Sequence, residues 1–191
     1  MGDTIRNKII KKLKEMKNEK GIETARRFGI ITRYEILGIS RTKLRKLAKG
    51  IGKNTELALE LWRTNILEAK ILATMIADPK EFKREFAYEW VKDIDNWDLC
   101  DQFVLNLLWR TNYAYEIAKE FCKDDEEFVK RAGLALIAKL AMSNKKANEG
   151  KFKEFLPLIR EGLKDRRKYV KKAAIWAKDK LEKLGIKLSN I

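Results

Sequence analysis

The chain has 191 residues, with 43 Lys and Arg against 28 Asp and Glu, a net charge of +15 and no histidine. The missing histidine excludes Ser/His and Cys/His catalysis, and two cysteines outside CxxC spacing make a zinc site unexpected. No apolar run approaches the roughly 18 residues that span a bilayer, and the charged start "MGDTIRNKII" is unlike a signal peptide. We therefore predict a soluble, cytoplasmic protein that does not act at a membrane.

The positive charge is concentrated at the two ends of the chain. Residues 1–50 carry 15 basic against 5 acidic side chains, residues 51–150 carry 15 against 18, and residues 151–191 carry 13 against 5. Basic surfaces bind nucleic acid because neutralised phosphates release their counterions. Nucleic acid is therefore the first candidate partner, and a lysine-rich solvated surface is the alternative.

Helical signals run through the whole chain. In "LGISRTKLRKLAKGIG" they predict a turn at Gly38 and a helix that is capped by Ser40 and ended by Gly50 or Gly52. In "DPKEF", Pro79 predicts the first position of a further helix after Asp78. Residues 143–152 form the longest polar connector, which we interpret as a link between helices of one array.

Two segments repeat along the sequence. "LWRTN" occurs at residues 61–65 and 108–112, and "FVKRAGLAL" at 128–136 is matched by "YVKKAAIWA" at 169–177. These spacings of 47 and 41 residues fall in the range of HEAT-type helical repeats. The sequence predicts an all-α fold, an α-solenoid of about five HEAT-like helix pairs that is curved with a basic concave face. We expect one domain over residues 1–191.

The segment "NWDLCDQ" places an aromatic ring and a carboxylate on one helical face. With Asp95 or Asn96 as the N-cap, Trp97 and Asp101 stand four residues apart. One interpretation is that Asp98 and Asp101 simply favour the positive end of the helix dipole. Asp101 lies deeper along an apolar stripe, so the other interpretation is a site for a cationic base.

The second pair of repeats, residues 128–136 and 169–177, contains cations and another tryptophan at helical spacing. Arg131 and Lys172 hold equivalent positions, and Trp176 follows Lys172 by four residues on its face. Because equivalent faces of stacked repeats point the same way, we expect these residues to share one groove with Trp97 and Asp101. Cations there would contact phosphates, and tryptophans would attract a cationic base.

From about Ala25 onward the chain resembles the AlkD-like HEAT-repeat DNA glycosylases, the DNA alkylation repair family. The segments that carry the resemblance are "LGISRTKLRKLAK", "LALELW", "EAKILATMIADP", "WVKDIDNWDLCDQ", "FVKRAGLALIAKLA" and "YVKKAAIWA". Residues 1–24, predicted as an N-terminal helix, match only weakly. The resemblance implies hydrolytic excision of positively charged N3- and N7-alkylated purines from double-stranded DNA, without a metal or any other cofactor.

Site residues follow from the resemblance and from the charge pattern. Trp97, Asp101 and Trp176 match the family's catalytic positions, with Asp101 stabilising oxocarbenium charge and positioning water, and Arg131 matches its phosphate-contacting arginine. The predicted DNA contacts are Arg131, Lys172, Lys171, Arg166 and Arg45. Three further tryptophans, Trp62, Trp90 and Trp109, lie in apolar runs and are predicted to pack in the core, as are both cysteines.

Three functions are open at this point. The first is an alkylpurine DNA glycosylase, an enzyme that acts as a monomer on duplex DNA. The second is a non-catalytic HEAT-repeat protein that binds damaged or distorted duplex. The third is a scaffold for a protein partner, which the basic ends disfavour unless that partner is acidic. We favour the first because a carboxylate such as Asp101 would repel the phosphates of a groove that only binds DNA.

Overall fold

The computed structural model describes residues 4–143 and 149–188. The chain forms two compact units, Met1–Phe86 and Ala87–Ile191. Apart from one bridge between Glu35 and Ile66, the described residues form helices, turns and irregular segments with no strand. None of the described helices combines the length and the apolar character needed to cross a bilayer. The all-α prediction is confirmed, and the single domain over residues 1–191 stays a prediction.

The first unit is organised around a buried helix. Its helices are α1 (Ile5–Glu15), α2 (Glu19–Arg27), α3 (Arg41–Ile51), α4 (Thr55–Trp62) and α5 (Leu67–Ile76), and α6 (Arg84–Lys92) starts at its end. Helix α5 is apolar on nearly all sides and packs against α1, α3 and α4. A helix that is apolar all round belongs inside a fold, which explains its central position.

A buried carboxylate on α5 fixes the turn before α3. Glu68 accepts hydrogen bonds from the backbone N–H groups of Leu37 (2.9 Å) and Gly38 (2.7 Å). Gly38 has φ +73° and lies so close to α2 that a Cβ would strike the Asn18 carbonyl oxygen, so only glycine fits here. Burial raises the pKa of Glu68, and the backbone donors oppose that rise.

The second unit is organised around α9 (Glu127–Ser143). Its other helices are α7 (Trp97–Asn106), a short 3₁₀ helix (Leu108–Arg110), α8 (Ala114–Cys122), α10 (Glu149–Lys153), α11 (Leu156–Lys164) and α12 (Lys168–Glu182). Helix α9 is buried along most of its length and packs against α7, α8 and α12. Gly133 allows the close approach to α8, because a Cβ there would lie 2.6 Å from the Cys122 nitrogen.

Local predictions from the sequence are confirmed at α3 and wrong at Pro79. The Ser40 side chain caps α3, and Gly52 ends it with φ 78°. Pro79 lies in a turn, and α6 begins only at Arg84. The Asp78 side chain accepts a hydrogen bond from the Lys80 backbone N–H, and the Asp78 carbonyl accepts one from the Phe82 N–H. These bonds form a single turn that does not continue as a helix. The predicted connector overlaps residues 144–148, which lie outside the described residues.

The "LWRTN" repeat has a structural counterpart in both units. Thr64 and Thr111 are buried, and each hydroxyl donates a 2.8 Å hydrogen bond to the carbonyl of the leucine three residues earlier. Each threonine therefore closes its helical turn from within the core. The repeated pentapeptide thus encodes the same threonine-closed turn twice, once at the end of α4 and once at the end of the 3₁₀ helix.

Both cysteines are buried free thiols. Cys100 lies at the contact of α7 with α9, where its Sγ approaches the Phe128 carbonyl, and Cys122 ends α8. Burial raises the pKa of each thiol, so the reactive thiolate is disfavoured. We expect the native protein to react with essentially no equivalents of a thiol reagent such as DTNB, and the denatured protein to react with two. Rapid labelling of the native protein would contradict this packing.

Candidate functional site

Helix α7 presents Trp97 and Asp101 on one face. The Asn96 side chain caps the helix by accepting from the Leu99 N–H at 2.9 Å, which starts the helix at Trp97. Trp97 is half-buried, and the Asp101 side chain keeps 17% of its surface exposed. The predicted spacing therefore places an aromatic ring and a partly accessible carboxylate one turn apart.

Arg131 of α9 holds the Asp101 carboxylate. Its Nε donates to Oδ1 at 3.1 Å and its Nη2 to Oδ2 at 2.8 Å, while Nη1 donates to the Tyr169 carbonyl on α12 at 2.7 Å. Two parallel N–H···O bonds fix both the position and the orientation of a carboxylate. The arginine side chain is 8% exposed. It therefore joins α7, α9 and α12 through one buried guanidinium.

The environment of Asp101 acts on its pKa in two directions. Burial raises the pKa above its ordinary value of 3.8, and the charge and hydrogen bonds of Arg131 oppose that rise. A carboxylate with a raised pKa is a stronger proton acceptor when it is ionised. Asp101 thus has the properties of a base held in a fixed orientation.

Helix α12 contributes a mixed aromatic and basic stripe. Tyr169, Lys172 and Trp176 follow at spacings of three and four residues, so they share one side of the helix. The Tyr169 ring contacts Phe128 of α9 with centroids 5.9 Å apart. Trp176 is half-buried, and Lys172 is exposed. Aromatic surface and positive charge are therefore available together on this stripe.

The predicted DNA-contact residues differ in their surroundings. Lys171, Lys172 and Arg166 are exposed in the second unit, and Arg45 is exposed on α3 in the first. Among the described residues, none of these four cations forms an ion pair. Arg131 is different, because its guanidinium is occupied by Asp101 and the Tyr169 carbonyl. Its role as a phosphate contact stays a prediction, and its observed contacts are those of a residue that positions Asp101.

Two features of this region were missed in the sequence. Tyr169 lies in "YVKKAAIWA" seven residues before Trp176, and that spacing could have placed it on the same face. Trp109, predicted as a packing residue, is half-buried, with the Lys139 ammonium 4.4 Å from its ring centroid. No spacing pattern could have shown this contact. The packing prediction is confirmed for Trp62 and Trp90, each 2% exposed.

The fold and the site define an all-helical protein with an arginine-held carboxylate. Its fold is similar to that of a solved structure described as "A new family of proteins related to the HEAT-like repeat DNA glycosylases with affinity for branched DNA structures". The TM-score is 0.81 at 21% identity, over 91% of this chain and 74% of that one. The match confirms the HEAT-like fold.

The chain belongs to the DNA alkylation repair enzyme family, whose model matches residues 9–182. This match confirms the resemblance drawn from the sequence and extends it towards the N-terminus, into α1. A search of curated proteins finds no match.

Proposed function

We propose that the protein is a DNA glycosylase that excises cationic N3- and N7-alkylated purines from duplex DNA. The observation that carries the proposal is the Asp101 carboxylate, held by Arg131 one turn from Trp97, in a member of the DNA alkylation repair enzyme family. Reaction classes that need a histidine are excluded, because this sequence contains none. We further propose that it acts as a cytoplasmic monomer and uses no cofactor.

The reaction follows from the charge of the substrate. Alkylation makes the purine cationic, so it leaves as a neutral base when it takes the electron pair of the C1′–N bond. Positive oxocarbenium charge then develops on the sugar, and the Asp101 carboxylate stabilises it. Water attacks C1′ and gives its proton to Asp101. One carboxylate is sufficient, because the leaving group needs no general acid, unlike in most sugar hydrolysis.

The neighbouring side chains support binding and orientation in this proposal. Trp97 and Trp176 offer half-buried rings to a cationic base, which an aromatic face attracts. Lys171 and Lys172 offer charges for the DNA phosphates. Arg131 acts as a positioning residue, since it fixes both carboxylate oxygens of Asp101. It also favours the ionised form of the carboxylate by opposing the effect of burial on the pKa of Asp101.

The proposal is tested by base release from synthetic duplexes that carry a single lesion. We expect the wild-type protein to release N3-methyladenine and N7-methylguanine, which are cationic, and to leave O6-methylguanine, which is neutral, in place. The released base and the abasic strand are measured by chromatography and alkaline cleavage. A folded, DNA-binding protein that releases neither cationic base would contradict the glycosylase proposal.

A second candidate is DNA binding without excision. Its supporting observation is the ion pair of Asp101 with Arg131. Because Asp101 neutralises the buried charge of Arg131, it has a structural role that requires no catalysis. The similar solved structure, described as having affinity for branched DNA, is consistent with such a protein. This candidate predicts salt-dependent DNA binding with intact lesions, so the same duplex assay separates the two functions.

A further inference from the structure

The turn after α2 exposes two large apolar side chains. Phe28 is 67% and Ile31 is 83% exposed, and both lie within four residues of chain. Scattered single apolar residues on a surface are ordinary, but two large ones three residues apart on one turn form an apolar patch that water disfavours. This patch lies in the first unit, outside the candidate site around Asp101.

The backbone holds this pair in a fixed arrangement. Phe28 is the C-cap of α2, Gly29 has φ 75°, and the Ile30 N–H donates back to the Ala25 carbonyl at 3.1 Å. This is the pattern of a Schellman helix end, for which glycine is the favoured residue. Ile30 is 8% exposed and anchors the turn in the core. The two exposed side chains are thus presented by an ordered turn.

Positive charge outweighs negative charge around the pair. Arg26 and Arg27 precede it and Arg33 follows it. Residues 17–35 carry five basic side chains against three acidic ones, and two of these acids, Glu19 and Glu35, line a surface pocket together with Arg26 and Ile31. All three arginines are exposed. Neither Arg26 nor Arg27 forms an ion pair with any carboxylate that the structure describes, and Arg33 donates to the Tyr34 hydroxyl at 2.7 Å. Arg26 and Arg27 beside an apolar tip match the chemistry of a base step with its flanking phosphates.

We propose that Phe28 and Ile31 form an apolar wedge that enters DNA at an unstacked base step, while Arg26 and Arg27 hold the flanking phosphates. Apolar side chains of this kind are used to separate base steps, and the cost of unstacking is lowest where the stack is already interrupted. The charge around the pair favours nucleic acid over an apolar protein surface. The inference rests on the DNA binding proposed above and adds a preference for interrupted duplexes.

The test compares Phe28→Ala/Ile31→Ala with the wild type and with Ile5→Ala, whose side chain is also apolar and 65% exposed. Binding to an intact duplex and to the same duplex with a one-nucleotide gap is measured by fluorescence anisotropy. We expect the wild type and Ile5→Ala to prefer the gapped duplex by about tenfold, the scale of one base–aromatic contact, and the double variant to lose that preference.

Salt dependence distinguishes the apolar contacts from the charged ones. The double variant should keep the wild-type slope of log K against log [salt], because apolar side chains release no counterions. Arg26→Ala/Arg27→Ala should reduce the magnitude of that slope by about two. Circular dichroism should show the same melting temperature for all variants, since the replaced side chains are exposed.

Several outcomes would overturn the wedge. It is wrong if the double variant still prefers the gapped duplex, or if the wild type shows no preference while binding duplex DNA in a salt-dependent way. It is also wrong if sedimentation shows that Phe28 and Ile31 instead join two copies of the chain. A wild type that binds no DNA removes the proposed function as well, and binding without excision removes only the glycosylase.

Discussion

Replacing Asp101 by Asn is expected to reduce the single-turnover release of N3-methyladenine by about 10²–10⁴-fold, the usual contribution of a positioned base. The amide keeps the shape of the side chain but loses the charge that stabilises the sugar cation and accepts the proton of water. Binding to duplex DNA should remain within about threefold of wild type, because the amide does not weaken any phosphate contact. Chromatography of the released base and fluorescence anisotropy measure the two effects separately.

The control for this variant is Asp165→Asn. Asp165 also accepts two guanidinium bonds, from Arg167 at 2.9 and 2.7 Å, and is followed directly by the basic residues 166–168. Its substitution therefore removes a similar arginine pair without touching Asp101. It should leave excision close to wild type. Equal losses from the two substitutions would show that charge balance matters and that Asp101 has no special chemical role.

The pH dependence of excision is a second test of the role of the Asp101 carboxylate. Only ionised Asp101 can act, so excision should fall as pH decreases through its pKa. Because burial raises that pKa above 3.8, the loss should occur at higher pH than for an exposed aspartate. The residual activity of Asp101→Asn should lack this acid limb. An acid limb that survives in the variant would assign the titration to another group.

Replacing Arg131 by Ala is expected to lower the free energy of unfolding by about 3–5 kcal/mol at neutral pH. The substitution leaves a carboxylate largely buried without its cation and removes the donor to the Tyr169 carbonyl. It should also raise the pKa of Asp101 further, since the opposing charge is lost. Urea unfolding measures the first effect, and an upward shift of the acid limb of excision measures the second.

Two comparisons make the Arg131 result specific. Lys172→Ala, at the equivalent repeat position, should change stability by less than about 0.5 kcal/mol because Lys172 is exposed. The cost of Arg131→Ala should also decrease at acid pH, because a protonated Asp101 no longer leaves a buried charge unpaired. A cost that does not depend on pH would assign the effect to packing alone. A lower salt slope for DNA binding would instead support the predicted phosphate contact.

Local sequence signals were sufficient for the helical framework. Ser40 predicted the start of α3, and Gly50 or Gly52 its end, of which the structure uses Gly52. Such ends are local, because they need only a side-chain oxygen and a glycine with positive φ. The "LWRTN" repeat was equally informative, since Thr64 and Thr111 close equivalent turns in the two copies. Pro79 was misleading because a proline after aspartate suits a single turn as well as a helix start. Buried Phe82 lies at the end of that turn, outside any helix.

The site was predicted in its residues more completely than in its contacts. Arg131 and Lys172 occupy matching positions in matching segments, so the sequence predicted the same DNA-contacting role for both. Arg131 is buried on α9, which packs against α7, α8 and α12, while Lys172 is exposed on α12. This difference in surroundings gives one cation a carboxylate partner and leaves the other in solvent. Such a difference depends on which helices are neighbours in space, and no single repeat carries that information.

The guanidinium that joins α7, α9 and α12 has a consequence for how the protein meets its substrate. Separating α9 from both α7 and α12 would break three hydrogen bonds, two to the Asp101 carboxylate and one to the Tyr169 carbonyl, so the three helices are held together at one point. Backbone amides of α9 should therefore be among the slowest to exchange with deuterium. For the proposed excision, we therefore expect this part of the protein to act as a rigid receptor, and the adaptation to different lesions to come from the flexibility of the DNA helix.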